Sequence, residues 1–586
     1  MKLHARLHIA FPVKFFFLLV TLTNAIAESE DLAKYGPFVA TSRQGMVVTA
    51  GDQASEAGIE MLRRGGNVVD ATVAASFAIS VIRPQSTGIG GGGFFLLYLA
   101  KSQETVVVDF RERAPLRATR DMFLRDGKAV PELSRNGPLA VAVPGVVAGL
   151  VEIQKQYGTM PLKEVIAPAI HLAEDGFPVY PQLAGAIAYR AKLLGDSPAT
   201  RAIYYREDKP LREGELLIQK DLAHTLREIA ETGKDAFYKG RVAKAIVDEM
   251  KVRGGLITQE DLDMYKVIHR TPLVTTFQGA QVHAMSPPSS GGVLIGQMLN
   301  VLSGFPLQEI GFHTPKAIHL LTETMRLAFR DRARYLGDPD FFQVPVTMLS
   351  SDDYAKSQRA QIDLTKATPS ASLPEARPGK IESTSTTHIS AIDKDGNAVA
   401  TTQTVNLYFG SGVMAPGTGV MLNDEMDDFS AQESKPNAFG LLGENEANAV
   451  APRKTPLSSM SPTIVTHNGK VILVTGSPGG SRIISATLQV LLNVLAYNMS
   501  LPEAMFAPRI HHQWFPDQLL VEVQKGSQPE GLVNALTQLG HKVTVVEDTG
   551  DGRTPFGNVQ ALHVEVSSGV ITGVSDPRGE GRPRGL

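Results

Sequence analysis

The chain contains no cysteine among its 586 residues. This absence excludes disulfide bonds, metal sites built on thiolates and a cysteine nucleophile, so covalent catalysis would have to use another side chain. Net charge is also low, at −3, with 20% charged residues. Proteins that bind nucleic acid or membrane surfaces usually carry a basic surplus, and we therefore expect no nucleic-acid partner and no membrane-surface role.

Long hydrophobic runs are missing too, apart from one short run near the start. Basic residues precede the apolar residues 15–23, and Ala25-Ile26-Ala27 has the small-x-small pattern of a signal-peptidase site. The pattern predicts a signal peptide at residues 1–27, cleaved after Ala27, and a periplasmic or secreted protein. Because the run is short for a bilayer, we expect no stable membrane span after its removal; an uncleaved anchor is the alternative.

The remaining chain divides at a linker rich in Pro, Ser and Lys, residues 365–385. Before it, helical and strand-like patterns alternate, and residues 54–82 predict two helices broken at Gly65-Gly66. After it, short strand-like runs dominate, with helical patterns only at residues 482–498 and 528–539. Strands packed with helices in both parts favour one layered α/β unit over separate small domains.

The first strand after the linker begins with Ser385-Thr386-Thr387-His388, which a buried strand does not require. An enzyme that cuts itself before a threonine does require such a start. Its hydroxyl becomes the nucleophile, and the freed α-amine, with an ordinary pKa of about 7.7–8.0, can act as the base. The sequence therefore predicts autocleavage between Ser385 and Thr386, with Thr386 as the nucleophile.

A hairpin is predicted directly after this start, because Asp393-Lys394-Asp395-Gly396-Asn397 is a strong turn signal. A turn centred on Asp395-Gly396 would pair residues whose numbers sum to 791, which sets Thr404 opposite Thr387 and beside Thr386. We expect Thr404 to lie near the nucleophile, although a shift of one residue would change the face to which it points. Without Thr386, Thr404 would be read as an ordinary β-branched strand residue.

Three further segments carry polar chemistry. The glycine-rich loop at residues 476–482 leaves backbone N–H groups accessible to an oxyanion, although such a loop is more often a simple turn. Residues 423–429 contain four carboxylates, whose spacing does not match an EF-hand calcium loop. These carboxylates suit the ammonium group of an amino-acid substrate, and Arg111 is a candidate for its α-carboxylate.

Two patterns point to cofactors and are rejected. Residues 88–93 fit G-x-G-x-x-G, but they follow a helical stretch and precede a strand, which reverses the order of a dinucleotide site. We expect tight backbone packing there. His511 and His512 would point to opposite sides of a strand, and no second group has ligand spacing, so we expect structural histidines, no metal and no organic cofactor.

Taken together, these motifs resemble the γ-glutamyltranspeptidase family, also called glutathione hydrolase. The likeness spans nearly all of the chain after the predicted signal. Any single match is weak, but their shared order and spacing are highly specific. The motifs are Gly65 to Ala71, Gly88 to Phe94, Asp109 to Glu112, Pro144-Gly145, Pro287 to Gly292, Thr386 to His388, Asp393 to Val399, Asn423 to Phe429, Pro456 to Met460 and Gly476 to Arg482.

The resemblance implies a four-layer αββα sandwich of the N-terminal-nucleophile hydrolase type. It also implies cleavage into a large subunit, residues 28–385, and a small subunit, residues 386–586, which stay together as a heterodimer. By similarity, Thr386 is the nucleophile assisted by Thr404, and Gly479 and Gly480 form the oxyanion hole. The implied substrate-binding residues are Arg111 and Ser458, with Ser459 nearby, for the α-carboxylate, and Asn406, Glu425 and Asp428 for the amino group.

The resemblance further implies a lid at about residues 432–451, whose gating aromatic falls on Phe439, where relatives often have tyrosine. Expected partners are glutathione and other γ-glutamyl donors, with water, amino acids or dipeptides as acceptors. The alternatives are a related acylase of the cephalosporin or glutaryl type, a non-catalytic exported binding protein, and a structural αβ protein with an incidental Thr-Thr start.

Overall fold

Two seven-stranded antiparallel sheets form the centre of the protein in a computed structural model that describes residues 32–370, 385–433, 435–444, 446–548 and 555–586. The predicted signal peptide and most of the predicted linker lie outside these residues. In spatial order, the first sheet contains Ile268–Arg270, Glu104–Asp109, Gly92–Leu99, Ala398–Thr404, Thr387–Asp393, Gly45–Thr49 and Arg582–Gly585.

The second sheet is also antiparallel throughout and faces the first. In spatial order it contains Val39–Ser42, Val570–Ser575, Gln560–Glu565, Lys470–Gly476, Thr463–His467, Ala280–Ala284 and Leu273–Phe277. A small third sheet of Ile510–His511, Leu519–Gln524 and Val543–Asp548 packs against the helices that cover the second sheet. Two-stranded pairs complete the strands: Leu124–Arg125 with Lys128–Ala129, Phe177–Pro178 with Leu216–Leu217, Tyr205–Arg206 with Lys209–Pro210, and Met414–Ala415 with Val420–Met421.

Helices cover the outer face of each large sheet. The helix Val68–Ile82 is mostly apolar around its whole circumference, which explains why it is buried against the first sheet. A capping box between Asn67 and Asp70 sets its start. The helices that share the apolar core of the first sheet are Asp52–Arg63, Val68–Ile82, Val146–Tyr157, Leu162–Asp175, Pro181–Tyr189, Ala191–Gly195, Pro198–Tyr204, Lys220–Thr232, Asp235–Tyr238, Arg241–Arg253 and Gln259–Asp263. The short helix Pro131–Arg135 packs in a separate small apolar cluster.

The second sheet is covered by the remaining helices, which share a separate apolar core. They are Gly291–Leu302, Leu307–Ile310, Pro315–Tyr335, Val346–Leu349, Asp352–Arg359, Arg482–Leu495, Leu501–Phe506 and Glu530–Gln538. A third core, which includes Phe94, Ile392, Ala400 and Leu562, fills the space between the two sheets. The layers therefore follow the predicted αββα order.

The two halves of the chain are interleaved within the first sheet. The hairpin Thr387–Asp393 and Ala398–Thr404 lies at its centre. One hairpin strand pairs with Gly45–Thr49 and the other pairs with Gly92–Leu99, both of which precede the predicted cleavage point. Backbone hydrogen bonds on both sides thus bind the hairpin to the earlier half.

The helices predicted on either side of Gly65-Gly66 are Asp52–Arg63 and Val68–Ile82, as expected. The prediction of only two helices after the linker is wrong, because Leu501–Phe506 is a third. Within the described residues, none of the helices combines the length and the apolar character that a membrane crossing requires.

Candidate active site

Thr386 lies at the start of the central hairpin, where its hydroxyl meets a second threonine. Its Oγ1 is 3.0 Å from Oγ1 of Thr404, and the two residues are 5% and 2% exposed. Thr404 Oγ1 also accepts a hydrogen bond of 2.8 Å from the Asn406 N–H. The amide N–H of Thr386 donates to the Ser86 carbonyl at 3.1 Å. The side chain of Thr386 is therefore held by Thr404, and its backbone is held by Ser86.

The register of the hairpin differs by one residue from the prediction. Paired residues sum to 790, as in Thr387 with Gln403, so Thr404 is level with Thr386 instead of Thr387. The reason is a three-residue loop, in which the Asp393 N–H bonds the Asn397 carbonyl and Gly396 adopts φ +81°. The predicted proximity of Thr404 to Thr386 is nevertheless confirmed.

The backbone of Thr386 is strained. Its φ is +97°, a conformation that is rare for any side chain and a clear outlier for a β-branched one. The Ser385 hydroxyl donates to the Asn406 carbonyl, which fixes the residue on the other side of the predicted cleavage point. The strain therefore lies directly at the Ser385–Thr386 peptide bond.

A pocket of about 270 Å³ opens at these hydroxyls. Of the predicted site residues, Ser385 and Gly479 do not line it, and two lining residues, Met460 and Ile483, had no predicted role. Ile483 follows the glycine loop at the start of an apolar helix, so its pattern indicated only core packing. The lining residues are Arg111, Thr386, Thr404, Asn406, Glu425, Asp428, Phe439, Ser458, Ser459, Met460, Gly480 and Ile483.

Arg111 lines the same pocket and is fully buried in an ion-pair cluster. Its guanidinium donates to a Glu425 oxygen, and to Asp428 Oδ2 at 2.5 Å. Glu112 Oε2 lies 3.6 Å from the same guanidinium. Both Glu112 oxygens lack a hydrogen-bond partner among the described residues. The sequence predicted separate roles, with Arg111 binding a carboxylate and the acids binding an ammonium group. In the structure Arg111 is ion-paired with those same acids.

Protonation in this cluster is shifted by burial. Desolvation raises the pKa of Glu112 to about 7, and it also raises the pKa values of Glu425 and Asp428 despite the opposing charge of Arg111. Burial alone would lower the pKa of Arg111, but the three carboxylates raise it overall. Arg111 therefore stays charged, whereas burial favours the protonated forms of the three carboxylates.

The other acids of residues 423–429 serve the scaffold. Asp427 accepts from the Ser134 hydroxyl at 2.6 Å and from the Ala438 N–H at 2.8 Å. Asp424 accepts from the Leu407 N–H at 2.9 Å. The sequence could not separate these roles, because the 3₁₀ turn Glu425–Asp428 decides which carboxylates face the pocket.

The glycine loop approaches the pocket with a backbone that favours glycine. Gly479 and Gly480 have φ values of +130° and +57°, just before the helix Arg482–Leu495. The ring of Phe439 lies against Gly480, and the Phe439 carbonyl accepts from the Gln513 side chain at 3.0 Å. The predicted gating residue thus covers the predicted oxyanion loop.

His388, for which the sequence predicted no role in the site, contacts the base of the glycine loop at Gly476. Its ring packs against Gly476 and bonds Thr402 Oγ1 at 2.8 Å and Ser390 Oγ at 3.1 Å. Burial lowers the pKa of His388 to about 3, so the ring is neutral. Its position two residues after Thr386, on the same face of the strand, was the available signal.

Of the two cofactor patterns rejected from the sequence, the glycine-rich one is tight packing as predicted, whereas the prediction for the histidines needs a correction. A Cβ on Gly91 would lie 1.9 Å from the Thr404 carbonyl oxygen, which confirms tight backbone packing at residues 88–93. Contrary to the expectation for histidines, His319, Glu323 and His541 do have the spacing of metal ligands. The two rings bond each other at 2.7 Å, however, and His319 also bonds the Asp363 carbonyl at 2.8 Å, so both ring nitrogens of His319 are already hydrogen-bonded.

Comparisons with known proteins agree with this geometry. A family model described as Gamma-glutamyltranspeptidase matches residues 54–586. A glutathione hydrolase proenzyme of Escherichia coli (strain K12) is 47% identical over 542 residues, which cover 92% of this chain and 91% of the relative.

Solved structures show the same fold. Cephalosporin acylase from Bacillus halodurans aligns with a TM-score of 0.82 at 30% identity, over 94% of this chain and 97% of that chain. Helicobacter pylori gamma-glutamyltranspeptidase aligns with a TM-score of 0.54 at 42% identity, over 56% of this chain and 95% of that chain. These similarities confirm a layered fold of the N-terminal-nucleophile hydrolase type, and the chain belongs to the gamma-glutamyltranspeptidase family.

Proposed function

We propose that this protein is an autoprocessed threonine enzyme that hydrolyses glutathione and other γ-glutamyl compounds. The observation that carries the proposal is the strained Thr386, whose hydroxyl meets Thr404 in a pocket that Arg111 also lines. The E. coli relative is named a glutathione hydrolase proenzyme, which supports both the substrate and the processing.

Maturation begins when the Thr386 hydroxyl attacks the carbonyl carbon of Ser385. The amide nitrogen of Thr386 leaves that carbon, which produces an ester, and water then hydrolyses the ester. The products are a new carboxyl group on Ser385 and a free α-amine on Thr386. Relief of the strain at φ +97° favours this step.

Turnover uses the same hydroxyl. Thr386 Oγ1 attacks the γ-amide carbonyl of the donor, and the α-amine of Thr386 accepts the hydroxyl proton. The N–H groups of Gly479 and Gly480 stabilise the oxyanion, and Thr404 orients the nucleophile. With glutathione, cysteinylglycine leaves and a γ-glutamyl ester remains on Thr386.

The α-amino-acid group of the donor is recognised by Arg111 and the polar residues around it. The α-carboxylate of the donor joins Arg111 and the Ser458 and Ser459 loop, and its ammonium group is held by Asn406, Glu425 and Asp428. An incoming ammonium group would compensate the carboxylates that now surround Arg111. The ester then passes to water, or to an amino acid or dipeptide in a γ-glutamyltransferase reaction.

Export and subunit division belong to the same proposal. Residues 1–27 direct the chain to the periplasm or the medium, and residues 28–385 and 386–586 become the large and small subunits. Their lasting association is supported by the central hairpin, which pairs on both sides with strands of the large subunit. Intact mass and N-terminal sequencing test the division, and a small fragment beginning Thr-Thr-His-Ile is expected.

The decisive experiment compares wild type with Thr386→Ala and Thr386→Ser. We expect Thr386→Ala to remain one chain without activity on γ-glutamyl-p-nitroanilide, and Thr386→Ser to retain some processing and turnover through its hydroxyl. A processed and active Thr386→Ala variant would refute the assignment. A single stable wild-type chain that binds glutamate without turnover would support the non-catalytic alternative.

A second candidate is an acylase for glutaryl groups, favoured by the likeness to a cephalosporin acylase. A glutaryl group has a carboxylate but lacks the ammonium group that Glu425 and Asp428 would hold. We therefore expect a clear preference for γ-glutamyl-p-nitroanilide over glutaryl-p-nitroanilide. The reverse preference would select the acylase.

A further inference from the structure

Arg332 is a buried cation that does not line the pocket and that no step of the proposed reaction uses. It lies near the end of the helix Pro315–Tyr335 and is 3% exposed. Buried Arg111, Arg326 and Arg509 each form ion pairs, whereas Arg332 forms none with any carboxylate of the described residues. Burying an unpaired charge is costly, so its retention requires an explanation.

The hydrogen bond of Arg332 leads to the pocket wall. Its Nε donates to Ser290 Oγ at 3.1 Å. Ser290 Oγ lies 2.7 Å from the Ser458 carbonyl oxygen, and the Ser290 N–H donates to the same oxygen at 2.8 Å. Because a guanidinium only donates, the Ser290 hydroxyl must accept from Arg332 and direct its own hydrogen to Ser458. The relay therefore runs from Arg332 through the Ser290 hydroxyl to the Ser458 carbonyl.

The relay ends on the segment Ser458 to Met460, which lines the pocket together with Arg111. The Ser458 N–H bonds the Pro288 carbonyl at 2.9 Å, and Ser458 Oγ accepts from the Met460 N–H at 3.0 Å. The positive charge acts through space too: burial lowers the pKa of Arg332 to about 10, while Asp428 opposes this shift and Arg111 adds to it. Arg332 therefore interacts with both ends of the Arg111–Asp428 pair.

We infer that Arg332 is a positioning residue for donor binding, which orients the Ser458 segment through Ser290 and adds a second positive charge behind the carboxylate-binding end. This inference rests on the proposed function, since it assigns Arg332 to the donor site of that reaction. Arg332 does not line the pocket and acts through Ser290 and through its field. Its loss should therefore weaken binding of the donor more than it slows the chemical step.

The test measures kcat and KM for γ-glutamyl-p-nitroanilide in processed wild type, Arg332→Met, Arg332→Lys and Ser290→Ala. Arg332→Met should raise KM about tenfold or more, with kcat within about threefold of wild type, because a hydrogen bond from a charged group and its field are lost. Arg332→Lys keeps the charge and should recover part of the affinity. Ser290→Ala keeps the charge but breaks the relay, and should raise KM less than Arg332→Met.

The matched control is Arg330→Met on the same helix. Arg330 bonds Gln358 and Gln361 instead of the pocket wall, so its KM should equal that of wild type. A wild-type KM in processed Arg332→Met, an equal rise in Arg330→Met, or a fall in kcat alone would overturn the inference. If Arg332→Met fails to process, an unchanged KM in Ser290→Ala overturns the relay. Failure of the proposed function itself would appear earlier, as wild type without γ-glutamyl turnover.

Discussion

A Cβ atom added to Gly480 would lie 2.3 Å from Cδ1 of Phe439, so the aromatic ring covers the backbone of this glycine directly. Real Cβ atoms do not approach other atoms so closely, and Gly480→Ala must displace the ring or the loop. Since we assign the Gly480 N–H to the oxyanion hole, we expect this substitution to lower kcat for γ-glutamyl-p-nitroanilide roughly 100-fold.

The double variant Gly480→Ala with Phe439→Ala separates crowding from backbone strain. Removal of the ring should recover part of the activity relative to Gly480→Ala alone. Gly417→Ala is the control, because Gly417 has φ +70° but no atom within 4 Å of the added Cβ. Full activity in Gly480→Ala would contradict the proposed oxyanion hole.

The hydroxyl of Thr404 should assist both processing and turnover. Thr404→Val keeps the shape but removes the partner of Thr386 and leaves the Asn406 N–H without its acceptor. We expect cleavage and kcat to slow on the order of 10- to 100-fold, as for the loss of a well-placed hydrogen bond. Time courses on denaturing gels and steady-state assays measure the two effects, with Thr404→Ser expected to stay near wild type. Equal rates in both variants would show that the hydroxyl has no role.

The sequence predicted most of the site because its residues lie in short motifs with fixed chemistry. Thr386, Thr404 and Gly480 meet at one pocket as expected, although the hairpin register was one residue off. Turn residues alone did not distinguish a two-residue loop from a three-residue loop with Gly396 in the left-handed region.

Contacts between residues far apart in the chain could not be predicted from the sequence. Nothing local indicates that Arg111 contacts Glu425 and Asp428, more than 300 positions away, or that Ser290 connects Arg332 to Ser458. These contacts form only because the two sheets and their covering helices bring distant segments together. The layered fold was predictable from alternating element patterns, but the charge arrangement depends on tertiary packing.

Stability should depend on pH through Glu112. Folding raises its pKa from 4.5 to about 7, mainly by desolvation, so the folded protein holds a proton that the unfolded chain releases. This contribution is fully present below pH 4.5 and is lost as the pH rises through about 7. Glu112→Gln removes the titration, while Arg111, Glu425 and Asp428 remain.

Urea unfolding of wild type and Glu112→Gln across this pH range measures the difference. Wild type should lose more of its free energy of unfolding than the variant between the two pH limits, by an amount on the order of a few kcal/mol. Glu104→Gln is the control, since Glu104 is exposed at a strand end. Parallel pH profiles for wild type and Glu112→Gln would refute this assignment of the titrating group.

His541 should stabilise the contact between the two proposed subunits. It bonds His319 at 2.7 Å, and His319 in turn bonds the Asp363 carbonyl, so one network joins the small subunit to the last part of the large one. His541→Ala leaves a buried ring nitrogen without its partner and opens a cavity. We expect a loss of about 2–4 kcal/mol in the free energy of unfolding.

The measurement is urea denaturation of the processed protein, followed by size-exclusion chromatography to detect separation of the fragments. His541→Ala should unfold and separate at lower urea than wild type. His224→Ala is the matched control, because His224 is largely exposed on a helix, and its midpoint should not change. If the two variants have equal midpoints, the histidine pair does not hold the subunits together, and the interleaved hairpin alone must account for their association.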